Sequence, residues 1–231
     1  MNFAWEPLDD GVTRCRLPFL DVTVGVVQGG KGTLLIDTGS TLTEAKATDQ
    51  DVRRLTSRSV THIVLTHNHF DHILGSSAFT GAAVYCAPEV VATIANDTGR
   101  LRADAVRHGA NSDEIDRAIA ALRTPEHQVR DAVVDLGGRT VSISHPGRGH
   151  TDHDLIVVVA DRTRTIVFCG DLVEESGDPV VDSDSDVGAW PTTLDHVLAA
   201  DGPDGVFVPG HGAVVDGPFV RRQQRWLLSQ V

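Results

Sequence analysis

Thr66-His67-Asn68-His69-Phe70-Asp71-His72 places four residues able to bind a transition metal within six positions, in the spacing H-x-H-x-D-H. Packing does not account for that density. Histidine and aspartate are poor core residues, and four together leave several polar groups in need of partners. On a short turn, alternate positions point the same way, so His67 and His69 can share one ion while Asp71 and His72 face a second beside it. Imidazole and carboxylate are the usual zinc donors. The apolar run at 60–66 reads as a short strand, and the cluster lies immediately beyond its end. A strand end holds ligands firmly while the following loop stays open to substrate.

Upstream, 22–27 and 33–37 read as strands joined by the hairpin signal Gly29-Gly30-Lys31-Gly32. Thr41 followed by Glu44 is a capping box for a helix through about Leu55. Downstream come a strand at 84–86, a helical stretch from Pro88, and a polar segment at 96–109 that reads as a flap. Ile115, Ala118, Ile119 and Leu122 recur at i, i+3, i+4 and i+7, which predicts an amphipathic helix over 111–123. Strands are expected at 132–136, 140–145, 155–160 and 165–169, with turns at Gly137-Gly138 and Asp161-Arg162. A helix at 192–200, a strand at 206–208 and a closing helix at 218–230 complete the chain, the last with Phe219, Trp226 and Leu227 as core candidates. Strands then helix occur twice. That order implies two sheets packed together with helices outside, in one domain over 1–231 with two similar halves.

The 231 residues carry a formal net charge of −12 and 41% apolar residues. Such a balance disfavours binding to a phosphate backbone, which needs clustered Lys and Arg, so no nucleic-acid partner is expected. No apolar run approaches the roughly 20 residues that span a bilayer, so no membrane partner is expected either. The start, Met1-Asn2-Phe3-Ala4-Trp5-Glu6-Pro7, does not read as a signal peptide. Cys15, Cys86 and Cys169 are odd in number and far apart, which argues against a disulfide framework. A cytoplasmic location is the expectation. No motif specifies an oligomeric state.

Three further metal-binding candidates follow predicted strands beside glycine: His150 in Gly149-His150-Thr151, Asp171 in Gly170-Asp171-Leu172, and His211 in Gly210-His211-Gly212. Glycine there lets the backbone turn tightly and the side chain reach inward. With these motifs, in this order from Asp37-Thr38-Gly39 to His211, the sequence resembles the metallo-β-lactamase superfamily. The resemblance implies an α/β fold, an αββα sandwich of two mixed β-sheets with outer helices, with metals at one edge. It implies that His67, His69 and His150 hold one ion, that Asp71, His72 and His211 hold the other, and that Asp171 bridges them. The implied cofactors are two Zn²⁺, with Fe or Mn open by ligand type.

The resemblance further implies hydrolysis by a metal-bridging hydroxide, with Asp71 and Asp171 as the catalytic carboxylates and no Ser or Cys nucleophile. Aspartate at 171 resembles the glyoxalase II and lactonase branches more than the zinc β-lactamases, which points to a small ester, thioester or lactone. A β-lactam is the second expectation, and an iron-dependent persulfide dioxygenase the third. For the substrate, Phe70, Leu74 and Trp190 are candidate pocket walls, and Arg148 and His153 candidate contacts for an anionic group. The acidic stretch from Glu174 to Asp186 reads as a substrate-side loop.

Overall fold

The computed structural model describes residues 1–160, 164–200 and 205–230, so the turn expected at Asp161-Arg162 lies outside the described residues. Contacts divide the chain into two compact units, Met1–Val129 with Asp135–Arg139, and Arg130–Val134 with Thr140–Val231.

The first unit holds a mixed sheet in the order β1 (Trp5–Asp9), β2 (Val12–Arg16), β3 (Thr23–Gln28), β4 (Thr33–Ile36), β5 (His62–Val64), β6 (Ala83–Cys86) and β7 (His127–Gln128). Strands β1 to β4 run antiparallel, and the Gly29–Gly32 turn joins β3 to β4 as its glycines foretell. From β4 onward the pairing is parallel, which demands crossovers. The first crossover is α1 (Leu42–Thr56), started by Thr41, whose side chain accepts the Glu44 N–H at 3.1 Å. The Glu44 carboxylate returns to the Ser40 N–H at 3.2 Å, one residue outside the usual box. Next come the single turn α2 (Phe70–Ile73), a short 3-10 turn at Ser76–Ala78, and then α3 (Pro88–Asn96), α4 (Thr98–Arg107) and α5 (Ser112–Ala121). Val24, Val26, Leu35, Ile63 and Val84 supply the sheet's share of one core, and Ala45, Val52, Val90 and Ile115 the helices' share.

The segment expected to be a flap, 96–109, is mostly the helix α4. Its apolar stripe is only Leu101 and Ala105, one turn apart, too narrow to register among arginines and aspartates. Both are buried in the core, and Arg102 pairs with Asp116 of α5 at 2.6 Å.

The second unit is a five-stranded sheet in the order β12 (Val206–His211), β11 (Thr165–Glu174), β10 (Ile156–Ala160), β9 (Thr140–Ser144) and β8 (Asp131–Asp135). Strand β11 pairs antiparallel with β10 and parallel with β12. Helices α6 (Trp190–Ala199) and α7 (Gly217–Leu228) cover it, with Trp190, Leu194, Val197, Val220 and Leu227 packed against Val167, Cys169 and Phe207. Phe219 and Trp226 are only partly buried against this core. Among the described residues, no helix is long and apolar enough to cross a membrane.

Leu101 is 2% exposed, so Leu101→Ala opens a cavity under α4. The expected loss is about 2–5 kcal/mol in denaturant unfolding. A loss below about 0.5 kcal/mol would return the segment to a surface loop.

Candidate metal centre

In the first unit the candidate ligands begin at His67, three residues after β5 ends. The rings of His67 and His69 meet edge to face at 4.6 Å between centroids, and those of His67 and His72 lie 4.2 Å apart. The turn α2, with His69 at its N-cap, brings Asp71 and His72 round beside them, and His72 Nε2 is 3.7 Å from Asp71 Oδ2. Thr38 closes this turn, since its N–H and its hydroxyl both donate to the His72 carbonyl, at 2.9 and 2.8 Å.

What fixes the imidazoles is Asp37. It sits at the end of β4 with φ of +57°, a left-handed position that Asp and Asn tolerate better than other side chains. From there its carboxylate accepts the Thr66 N–H at 2.9 Å and the Thr66 hydroxyl at 2.8 Å, and contacts His72 Nδ1 at 2.8 Å. A carboxylate can only accept. His72 Nδ1 therefore carries the proton, and Nε2 presents its lone pair. The sequence places Asp37 in a motif without indicating this role; its visible signal is a carboxylate at a strand end before Thr-Gly.

The second unit brings together His150, Asp171 and His211. His150 Nδ1 lies 3.2 Å from the Val180 carbonyl, which again puts the proton on Nδ1 and the lone pair on Nε2. Its loop is braced by Asp154, which accepts the Thr151 N–H and hydroxyl at 2.8 and 2.9 Å, and by Ser185, whose hydroxyl donates to the His150 carbonyl at 2.7 Å. Asp171 Oδ2 is 3.5 Å from His150 Nε2 and 3.3 Å from His211 Nε2. One carboxylate oxygen thus lies within reach of two imidazoles that the resemblance assigns to different ions.

That carboxylate occupies the space of a missing side chain, because a Cβ on Gly210 would lie 1.8 Å from Asp171 Oδ1. Glu174, expected to begin a substrate-side loop, belongs to the same group. Asp171, Glu174 and His211 each offer one ligand atom, all within 4.8 Å of one another. Burial first, and then the Asp171 charge, push the Glu174 carboxyl up to about 7. This mixture of imidazole and carboxylate fits a divalent transition ion.

The residues proposed for substrate take different places. Phe70 and Leu74 are buried in the first unit's core. Trp190 is fully buried, donates its indole N–H to the Leu172 carbonyl at 3.0 Å, and sets its ring edge-on to His150 at 5.8 Å. His153 is buried with Nδ1 2.8 Å from Asp152 Oδ1. Arg148 is 62% exposed and reaches Asp186 at 3.2 Å. The three cysteines are buried, and burial pushes the Cys86 thiol up to about 12 and those of Cys15 and Cys169 higher still, so none offers a thiolate.

A family profile described as the metallo-beta-lactamase superfamily matches residues 17–211. The chain belongs to that superfamily. It is 35% identical over 118 residues to a metallo-beta-lactamase type 2 of Bacteroides fragilis, covering 49% of this chain and 47% of that one. The chain thus matches about half of that relative's length. With the Bacillus cereus metallo-beta-lactamase type 2 it is 24% identical over 197 residues, covering 83% and 67%. Among solved structures, a metallo-beta-lactamase from Pontibacter korlensis matches with a TM-score of 0.75 at 20% identity, covering 99% and 100%. The FIM-1 metallo-beta-lactamase of Pseudomonas aeruginosa, in its mono-zinc form, matches with a TM-score of 0.74 at 18% identity, covering 99% and 96%. These likenesses give the chain the metallo-β-lactamase fold, two mixed β-sheets with flanking helices.

Asp37→Asn keeps the shape and the tolerance of positive φ but removes the charge behind His72. Metal affinity, measured by competition with a chromophoric chelator, is expected to fall about 10–100-fold with the fold retained. Gly210→Ala drives a methyl into the Asp171 carboxylate. The variant is expected to lose metal, by elemental analysis, and about 1–3 kcal/mol of stability.

Proposed function

We propose that this protein is a dinuclear zinc hydrolase acting on a small ester, thioester or lactone. On this reading His67, His69 and His150 hold one ion, Asp71, His72 and His211 hold the other, and Asp171 bridges them. The observation that carries it is the position of Asp171 Oδ2, within 3.5 Å of both His150 Nε2 and His211 Nε2. Two cations side by side need an anionic group between them, and a carboxylate oxygen shared by two ligand sets supplies it. All seven residues fall inside the span matched by the family.

Bound ions would supply Lewis acidity toward a carbonyl oxygen and lower the pKa of water toward neutrality. The protein's own part is to orient and to hold protons. Asp37 and the Val180 carbonyl keep Nδ1 of His72 and His150 protonated, so that each Nε2 stays a lone-pair donor. The Asp71 carboxylate, on α2, accepts a proton or hydrogen bond from the attacking water. Ser76 stands in the 3-10 turn, and burial keeps the Cys86 thiol protonated. The partner proposed is a small molecule. Three buried free cysteines agree with a cytoplasmic location, where thiols stay reduced.

A β-lactam is the second reading, supported by the names of the curated relatives. Metal analysis with steady-state assays on a thioester, a lactone and a chromogenic cephalosporin ranks the two. About two zinc per chain with thioester or lactone turnover is the expected result. One iron per chain without hydrolysis would overturn it. Asp171→Ala is expected to lose one ion and all turnover above background; unchanged metal content and rate would remove the bridging assignment.

A further inference from the structure

Residues three apart on a regular strand point to opposite faces, so Asp171 and Glu174 of β11 would not normally meet. Here they do, because the pairing of β11 with β12 slips twice. Phe168 is opposite Val208, Gly170 opposite Pro209, and Glu174 opposite His211. Gly170, with φ of +52°, supports the first slip. The second leaves backbone groups without ladder partners, and buried side chains take them up. Gln223 of α7 donates to the Leu172 carbonyl at 2.7 Å and accepts the Glu174 N–H at 3.0 Å. Trp190 of α6 donates to the same carbonyl. A buried glutamine and tryptophan thus stabilise the irregularity that sets Glu174 beside Asp171 and His211.

We propose that Glu174 is a further ligand of the ion held by Asp171 and His211, making that position oxygen-rich and suited to a harder divalent cation such as Mn²⁺ or Fe²⁺. The proposal rests on the dinuclear reading above. Metal–ligand bonds of about 2.0–2.2 Å leave ligand atoms on one ion up to roughly 4.4 Å apart. The three side chains offer atoms within 4.8 Å, so small rotations suffice. Glu174 is only 5% exposed, so water does not balance its charge. Two adjoining buried carboxylates are costly unless a cation joins them. Ser176 fixes the orientation, since its N–H, at 3.1 Å, and its hydroxyl both donate to Oε1, which leaves Oε2 to ligate. Adding this oxygen to those of Asp71 and Asp171 makes the second position richer in oxygen than the first, whose proposed ligands are three imidazoles and the shared Asp171.

The test measures Zn²⁺ and Mn²⁺ binding to the wild-type chain and to Glu174→Gln by chelator competition and elemental analysis, with circular dichroism to check folding. The wild type is expected to take two ions. The variant is expected to keep the first and bind the second about 10–100-fold more weakly, with Mn²⁺ losing more than Zn²⁺. Two ions in the wild type with unchanged affinities in a folded variant would overturn the Glu174 assignment and leave the dinuclear reading standing. Fewer than two ions in the wild type would overturn both. Should the variant not fold, Co²⁺ substitution of the wild type decides. One intense four-coordinate absorption and one weak higher-coordinate absorption support the proposal, and two equally intense ones overturn it.

Discussion

An imidazole serves a metal ion only when its other nitrogen is already committed, and that requirement organises both units of this chain. His72 Nδ1 is committed to Asp37 and His150 Nδ1 to the Val180 carbonyl. His67 Nδ1 lies 3.0 Å from the Thr66 hydroxyl, which itself donates to Asp37. Each commitment selects a tautomer and removes the ring's freedom to turn. Asp37 serves two of these rings, directly at His72 and through Thr66 at His67. Its left-handed backbone at the end of β4 therefore helps set the orientation of two imidazoles.

The candidate ligands stand out in the sequence because metal chemistry leaves little choice of residue. His, Asp and spacing mark the first cluster, and the three Gly-flanked positions follow it. Most strands were legible for a similar reason, since apolar runs bounded by Gly and Asp have few other uses. The supporting shell was not. Asp37 and Gln223 act through hydrogen bonds to residues 35 and 49 or 51 positions away, and no local pattern records such a pairing. Glu174 was hidden because the strand was expected to end at 169, which left it in a loop, whereas β11 runs on to Glu174 and its register slips set the side chain beside Asp171. The α4 helix was hidden because two buried residues, Leu101 and Ala105, are enough to hold it.

The two cores divide the remaining work. Each unit packs helices on its own sheet, around Val24, Leu35, Ile63 and Val52 in the first and Val167, Phe207, Leu194 and Val220 in the second. Ligands then emerge from strand ends whose roots are apolar and buried. Such an arrangement lets a costly polar group be held without weakening what holds it, because the apolar burial that offsets the cost lies elsewhere on the strand. Gly210 shows the same economy: the space its side chain gives up is the space Asp171 occupies.

The stretch from Glu174 to Asp186 was expected to be a substrate-side loop; Glu174 instead ends β11, and the rest is tied to the candidate ligand His150. Val180 supplies the carbonyl for His150, Ser185 bonds the His150 backbone, and the Asp186 N–H bonds the Gly149 carbonyl at 2.8 Å. Val180 and Val181 meanwhile expose apolar side chains. A substitution that moves the Val180 backbone therefore also acts on the orientation of the His150 ring.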